Sequence, residues 1–250
     1  MVSKIYRGLG FQPLYTKGND KLGHEVLTWS TLKGNSPIWI PKGRHLNDKE
    51  GVYLVGTCGK HCIGCEKTCY VEKSYRHPTV RQGHAKRTIA MRENIDALFT
   101  CINYQIEHSQ AKMLRINQSG EIETLDEFDK WCQVVANHED VVAWIYTKNY
   151  SVITEQLQGR GIPSNLKVNI SIWGTQGIKE YQELKHIPNV KAFVCVTKEY
   201  DEAFYESQGL KIDTWCKAYD EKGKLNKNVT CQKCKKCFNN TTKIIGCYEH

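Results

Sequence analysis

Four cysteines crowd one short stretch, Cys58, Cys62, Cys65 and Cys69, on a glycine-bearing segment rimmed by Lys60 and Lys67. A second set lies near the C-terminus: Cys216, then Cys231, Cys234 and Cys237, then Cys247. Thiolates at such spacings bind soft or borderline metals, so the chemistry open to these residues begins at a thiolate-bound centre. Zinc and iron–sulfur clusters both take thiolates, and count alone does not separate them. A zinc site usually presents two Cys-x(2–4)-Cys pairs across a longer loop. The Cys58-x3-Cys62-x2-Cys65 spacing instead puts its sulfurs on one tight loop. That suits three corners of a [4Fe–4S] cubane with one iron left open. Cys69 either supplies the remaining ligand or lines the pocket. Cys231-x2-Cys234-x2-Cys237 is the run found in bacterial ferredoxins, with Cys216 or Cys247 completing it. One or two clusters are expected, with structural zinc as the alternative.

Composition bounds the setting of this chemistry. A chain of 250 residues with 40% hydrophobic content fits one larger domain, or a domain with a metal-stapled appendix. No run approaches the ~18 apolar residues of a membrane span, so no membrane partner is expected. The start, Met1 to Arg7, lacks the apolar stretch of a signal peptide, and the expected location is the cytoplasm. Twelve cysteines in such a chain argue against a disulfide scaffold. Cys101, Cys132 and Cys195 stand alone and are expected to be buried small hydrophobes. The formal charge of +8 overstates the real balance, since bound cysteines are thiolates. It therefore says little about nucleic acid.

The elements that must position the cysteines form an α/β pattern. Residues 1–50 are turn-rich and read as an N-terminal wrap, with Pro37–Pro41 as an aromatic anchor. Residues 51–213 read as the core, and 214–250 as a cysteine-rich tail too poor in apolar residues to order itself without a metal. Val52–Val55 is expected to be the first body strand, delivering the chain into the cysteine loop. Thr79 to Phe99 is helical, with Met91, Ile95, Leu98, Phe99 and Ile102 on one stripe. Its Arg81, Lys86, Arg87 and Arg92 form either a solvated basic surface or one facing an anion. Strands are expected at 112–117, 141–146, 166–173 and 190–196. Helices are expected from Leu125, capped by Thr124, and at 151–157, 178–184 and 200–207. Alternation of this kind implies parallel pairing with right-handed crossovers, as a partial (β/α) barrel or an open parallel sheet. In both, functional groups collect at the C-terminal strand ends. That edge would gather the cysteine loop, Asn117–Glu121, Thr147–Asn149 and Trp173–Gln176.

Two resemblances follow from these motifs. Cys58-x3-Cys62-x2-Cys65 resembles the signature of the radical S-adenosylmethionine (SAM) superfamily, with Gly64 where an aromatic residue is usual. Ser119–Gly120–Glu121 resembles that superfamily's Gly-Gly-Glu element, with Ser119 in place of the first glycine. A closer resemblance, over roughly residues 55–240, is to the phage gene product eighty-eight family. It is carried by Cys69–Tyr70, by Leu114–Glu121, by Tyr146–Thr147–Lys148 and by Cys234–Phe238, with Val71 and Asn117 replacing an alanine and a histidine. This implies a phage or prophage origin and a host-cell cytoplasmic location. The SAM resemblance implies reductive cleavage of S-adenosylmethionine to act on another substrate. Glu121 would accept from the methionyl amine, within the turn Ser119–Gly120–Glu121. Lys148 or Arg115 would offset the carboxylate, an auxiliary cluster would sit in the tail, and flavodoxin or ferredoxin would donate electrons. His61 reads as an exposed loop residue. The competing class is a non-enzymatic, zinc- or cluster-stabilised protein that binds nucleic acid or a host protein. Lys233, Lys235, Lys236 and thirteen tyrosines support it.

Overall fold

The computed structural model describes residues 9–16, 18–42, 51–59, 63–222 and 224–249. Seven strands form one open, all-parallel sheet. Their spatial order is β1 (Val26–Thr28), β4 (Met113–Ile116), β5 (Val142–Thr147), β6 (Leu166–Trp173), β7 (Val190–Val196), β9 (Ile244–Tyr248) and β8 (Thr214–Trp215). β2 (Pro37–Ile40) and β3 (Val52–Val55) form a separate antiparallel pair, Ile38 opposite Leu54. β3 is therefore not the first body strand, as its apolar run suggested. Its residues alternate between half-buried and exposed, the pattern of a two-stranded ribbon with one face in water. The edge position falls to β1, drawn from the turn-rich N-terminal region.

From β4 to β7 the strands advance one place at a time in the same direction. With right-handed crossovers, that order puts the connecting helices on one face. Leu114, Ile116, Ala143, Ile145, Leu166, Val168, Ile170, Ile172, Val190, Ala192 and Val194 make this face apolar. Helices Ile95–Glu107, Leu125–Ala136, Tyr150–Gly159, Ile178–Leu184 and Glu202–Ser207 cover it with residues such as Phe99, Phe128, Trp131, Ile153 and Tyr205. Thr124 caps its helix as expected, its side chain accepting from the Glu127 N–H. Among the described residues no helix is long and apolar enough to cross a membrane.

The predicted helix across 79–99 is two helices, Pro78–Glu93 and Ile95–Glu107. Asn94 leaves helical geometry, with φ −154° and ψ 69°, and its side chain accepts from the Ala97 N–H to start the second helix. Most of the basic residues on the first helix are clamps. Arg87 is buried and donates to the carbonyls of Gln12, Pro13 and Gly83. Arg92 pairs with Glu123 at 2.6 Å and donates to the carbonyls of Val55 and Gly56. Arg81 donates to the Trp39 carbonyl at 3.3 Å.

The same helix carries His84, buried against Tyr75 with the hydroxyl 3.1 Å from Nδ1. Burial, with the Arg87 charge nearby, holds the imidazole down at about 3. Folded His84 thus stays neutral where its unfolded counterpart protonates. Its contribution is complete above pH ~6.5 and is lost as the pH falls toward about 3. Chemical denaturation at pH 7, 6, 5 and 4 should show stability falling by roughly 1 kcal/mol per unit below pH ~6.5 from this group. His84→Gln should flatten that slope relative to wild type; an unchanged slope would place the titration elsewhere.

Candidate metal centres on the polar face of the sheet

Side chains alternate along a strand, so the other face of the sheet carries the complementary set. It presents Arg115 on β4, Trp144 and Tyr146 on β5, and Lys167, Asn169, Ser171 and Trp173 on β6. Lys191, Phe193 and Cys195 follow on β7. Arg115, Lys167, Asn169, Ser171 and Lys191 are all buried. Fully covered parallel strands are usually apolar on both faces, so this polar set makes the face a candidate site.

The first cysteine group reaches the C-terminal edge of this face without a sheet strand of its own. The Thr57 N–H bonds to the Leu32 carbonyl and the Cys58 N–H to the Gly34 carbonyl, each at 2.9 Å. Cys65 lies in the short helix Ile63–Lys67, and Cys69 precedes the helix Val71–Tyr75. Cys58, Cys65 and Cys69 are close enough that each thiolate would raise another's pKa. Burial first, then the Glu121 carboxylate, pushes the Cys58 thiol up to about 12. Such a cluster stays protonated until a cation offsets the repulsion. Cys62 and His61 lie outside the described residues.

Gly64 explains one departure from the sequence pattern. A Cβ there would stand 2.2 Å from the Trp173 indole nitrogen. An aromatic ring does lie beside the cysteine helix, but it comes from the end of β6.

The turn after β4 is built into the same edge. Gly120 has φ +78°, and a Cβ on it would meet Thr31 Oγ1 at 2.0 Å and Thr57 Oγ1 at 2.5 Å. Those two hydroxyls bond each other at 2.9 Å. The Ser119 hydroxyl donates to the Thr31 carbonyl at 3.0 Å, and the Glu121 N–H to Thr57 Oγ1 at 2.8 Å. Glu121 is buried. Its Oε1 accepts from the Ile122 N–H at 3.0 Å and its Oε2 from the Lys148 N–H at 2.8 Å. Burial raises its pKa against these bonds. The Thr147 side chain hydrogen-bonds the carboxylate as well. Arg115 lies further in, 4.1 Å from the Tyr146 ring centroid, with Nη1 on the Ile116 carbonyl. Its charge acts on Tyr70 beside the first cysteine group and on Cys231 in the second. Between these, Asn117 has φ 50°, is 3% exposed, and has no hydrogen-bond partner for either amide atom among the described residues.

The tail closes the lower part of the polar face. Cys231–Cys234 is one helical turn, capped by the Thr230 side chain and ended by Lys235 at φ 59°. Phe238 stacks on Trp144 at 4.5 Å and packs with Leu22 and Val26, so the tail has an apolar anchor of its own. Lys191 Nζ donates to the Lys236 carbonyl at 3.0 Å, and Asn169 Nδ2 to the Cys237 carbonyl at 3.2 Å. The Cys231 and Gln232 N–H groups bond back to the carbonyls of Lys21 and Leu22. Cys216, Cys231, Cys234 and Cys237 influence one another electrostatically, with Cys237 pushed up to about 12, chiefly by burial. A hydrogen bond from Cys247 and the Lys21 charge hold Cys216 below the usual thiol range. Among the described residues no three Cys, His, Asp or Glu side chains draw together as a ligand set.

Sequence reasoning missed several members of this region. Cys101 and Cys132 are buried among the helices, but half-buried Cys195 faces the polar side, near Cys65 and Lys148. Lys21 was unmarked. Its Nζ lies 3.3 Å from the Tyr219 hydroxyl, within electrostatic reach of Cys216 and Cys231. No local pattern announces either residue. Cys195 is betrayed only by its parity with Lys191 along β7.

The fold and site together define a one-sided α/β protein, an open parallel sheet with helices on one face and two cysteine groups on the other. The chain belongs to the Gene product 88 family, whose pattern it matches over residues 13–240. Nothing among the curated proteins and nothing among the solved structures matches it.

The contact between Gly64 and Trp173 gives a direct test of this arrangement. Gly64→Ala should displace the cysteine helix from the indole and lower stability by about 1–3 kcal/mol, the usual cost of overpacking. The same change at Gly59, where an added Cβ meets nothing within 4 Å, should cost far less. Equal melting temperatures for the two variants would contradict the contact.

Proposed function

We propose that the protein is an iron–sulfur protein with two thiolate-held centres on one polar sheet face, the first serving radical SAM-like chemistry. The observation that carries this reading is that Thr57, the residue before Cys58, bonds the Ser119–Glu121 turn at the C-terminal edge of parallel strands, with Cys65 and Cys69 within electrostatic reach of Cys58. An all-sulfur donor set suits a cluster. The buried, unpartnered amide of Asn117 beside that turn suits a polar ligand.

Cys58, Cys62, Cys65 and, as fourth ligand or pocket wall, Cys69 would hold the first centre. Cys231, Cys234 and Cys237 would hold the second with Cys216. A bound cluster supplies one-electron reducing power for cleaving a sulfonium. Glu121 would accept a ligand's ammonium on its remaining lone pair, while its bonds to the N–H groups of Ile122 and Lys148 and to the Thr147 side chain fix its orientation. Lys148, at the same edge, places positive charge for a carboxylate. Arg115 lies deeper, where its charge serves the space between the two cysteine groups. Thr31 and Thr57 close one side of Gly120, so a ligand would approach the turn from the sheet side.

A second reading has one specific observation in its favour. Trp39 and Tyr53 on the β2–β3 ribbon are 40% and 66% exposed, with ring centroids 5.0 Å apart. Such a platform could stack on bases or dock a host protein, with zinc as the staple.

Metal analysis separates the two readings. Anaerobically purified protein should be brown, with about four irons and matching sulfide per cluster. Colourless protein with about one zinc per cysteine group, even after iron-rich anaerobic expression, would favour the binding protein. Cys234→Ala should empty only the tail centre and Cys62→Ala only the first; loss of all metal from either would mean one shared site. Reduced protein should shift its EPR signal on adding SAM. Glu121→Gln should weaken that shift with little change in iron content.

A further inference from the structure

Three cysteines stand in one row across neighbouring strands. β7 pairs with β9 so that Cys195 lies opposite Cys247. β8 pairs with the other edge of β9, Trp215 opposite Gly246. One residue further along that register, Cys216 faces Cys247. The backbone holds this alignment, the Cys216 N–H donating to the Gly246 carbonyl at 2.7 Å. The Cys216 and Cys247 side chains hydrogen-bond each other. Opposed residues on adjacent strands are separated by about 4.8 Å, inside the Cα range of roughly 4.4–6.8 Å that a disulfide spans. β8 is only Thr214–Trp215 and lies at the sheet edge, so Cys216 can adjust to form the bond.

We propose that Cys216 and Cys247 are a redox modification site, an oxidisable dithiol that closes to a disulfide and withdraws Cys216 from the tail's metal-binding set. The dithiol stands on the register alone; the withdrawal of a ligand rests on the metal reading above. Hydrogen peroxide is a sufficient oxidant. One thiol sulfur attacks a peroxide oxygen, the O–O bond breaks, and a water leaves with formation of a sulfenic acid. The second thiol attacks that sulfur, the S–S bond forms, the S–O bond breaks, and a second water leaves. Two thiols lose two electrons and two protons, and peroxide is reduced to two waters. The other tail cysteines have their own supports: Cys231 and Cys234 lie on a capped helical turn, and Cys237 is hydrogen-bonded to the Tyr146 side chain.

The test treats full-length, anaerobically purified protein with stoichiometric hydrogen peroxide, blocks remaining thiols under denaturing conditions, and maps peptides by mass spectrometry. The expected result is a crosslink between the Cys216 and Cys247 peptides, lighter by two hydrogens and reversed by dithiothreitol, with loss of the tail's metal. Cys247→Ser should lack the crosslink and keep that metal at the same oxidant dose. If Cys216 pairs instead with Cys231, Cys234 or Cys237, or stays free while other cysteines oxidise, the proposal is overturned. Protein that forms the crosslink but carries no metal before oxidation would retain the dithiol and remove the metal reading instead.

Discussion

Half the side chains on the central strands turn away from the helices, five of them polar and buried (Arg115, Lys167, Asn169, Ser171 and Lys191), and the rest of the structure answers to that fact. Strand alternation leaves Arg115, Lys167, Asn169 and Lys191 no route to solvent once the face is covered. A second layer of apolar helices there would strand their charges and amides at a cost of several kcal/mol each. What covers the lower part of the face is a segment rich in exposed carbonyls. Lys191 reaches the Lys236 carbonyl and the Asn239 side chain, and Asn169 reaches the Cys237 carbonyl, while Lys167 is satisfied locally by Ser164 and Asn189. The irregular backbone of the tail is thus the complement this face requires. It arrives as a cysteine-bearing segment docked on the sheet.

The upper part of the face is closed by the first cysteine group, which is held in a different way. No strand of the main sheet leads into it, only the ribbon strand β3. Its position comes from Thr57 and Thr31 hydrogen-bonded to each other and to the turn after β4, and from Arg92 fastening the chain at Val55 and Gly56 to Glu123. Threonine hydroxyls suit this work because they donate and accept at once. Gly120 must be a glycine because both hydroxyls stand where a Cβ would be. The strand edge and the cysteine loop are therefore joined by side chains, and the loop's location could change without disturbing strand order.

The alternation from β4 to β7 was legible, whereas β8 and β9, which join the same sheet from the tail, were not. Residues 166–173 and 190–196 show apolar runs bounded by turns, and Thr124 announces its helix by type and place. The boundary at Asn94 was hidden because the apolar stripe continues through it from Met91 to Leu98, and only the capping side chain marks the break. β3 misled for a physical reason: Val-Tyr-Leu-Val has the same β preference in a solvated ribbon as in a buried sheet. Spacing marked the cysteine groups as candidates, whereas nothing local marked Lys21 or the place of Cys195. Their roles depend on which strand neighbours which, information that lies in register rather than in local sequence.

Register also decides how far the two cysteine groups are separate. Each is local in sequence, which invites treating them as independent staples. Yet Cys195 on β7 lies near Cys65 above and directly beside Cys247 on β9, and Cys247 bonds to Cys216 within reach of Cys231. Arg115 bridges the same interval from the opposite side, acting on both Tyr70 and Cys231. Charge introduced at one group is felt at the other through a buried layer where water cannot screen it. A sheet with polar residues on one face turns two sequence-local motifs into one electrostatic system, and the strand order β5–β6–β7–β9–β8 sets the distance between them.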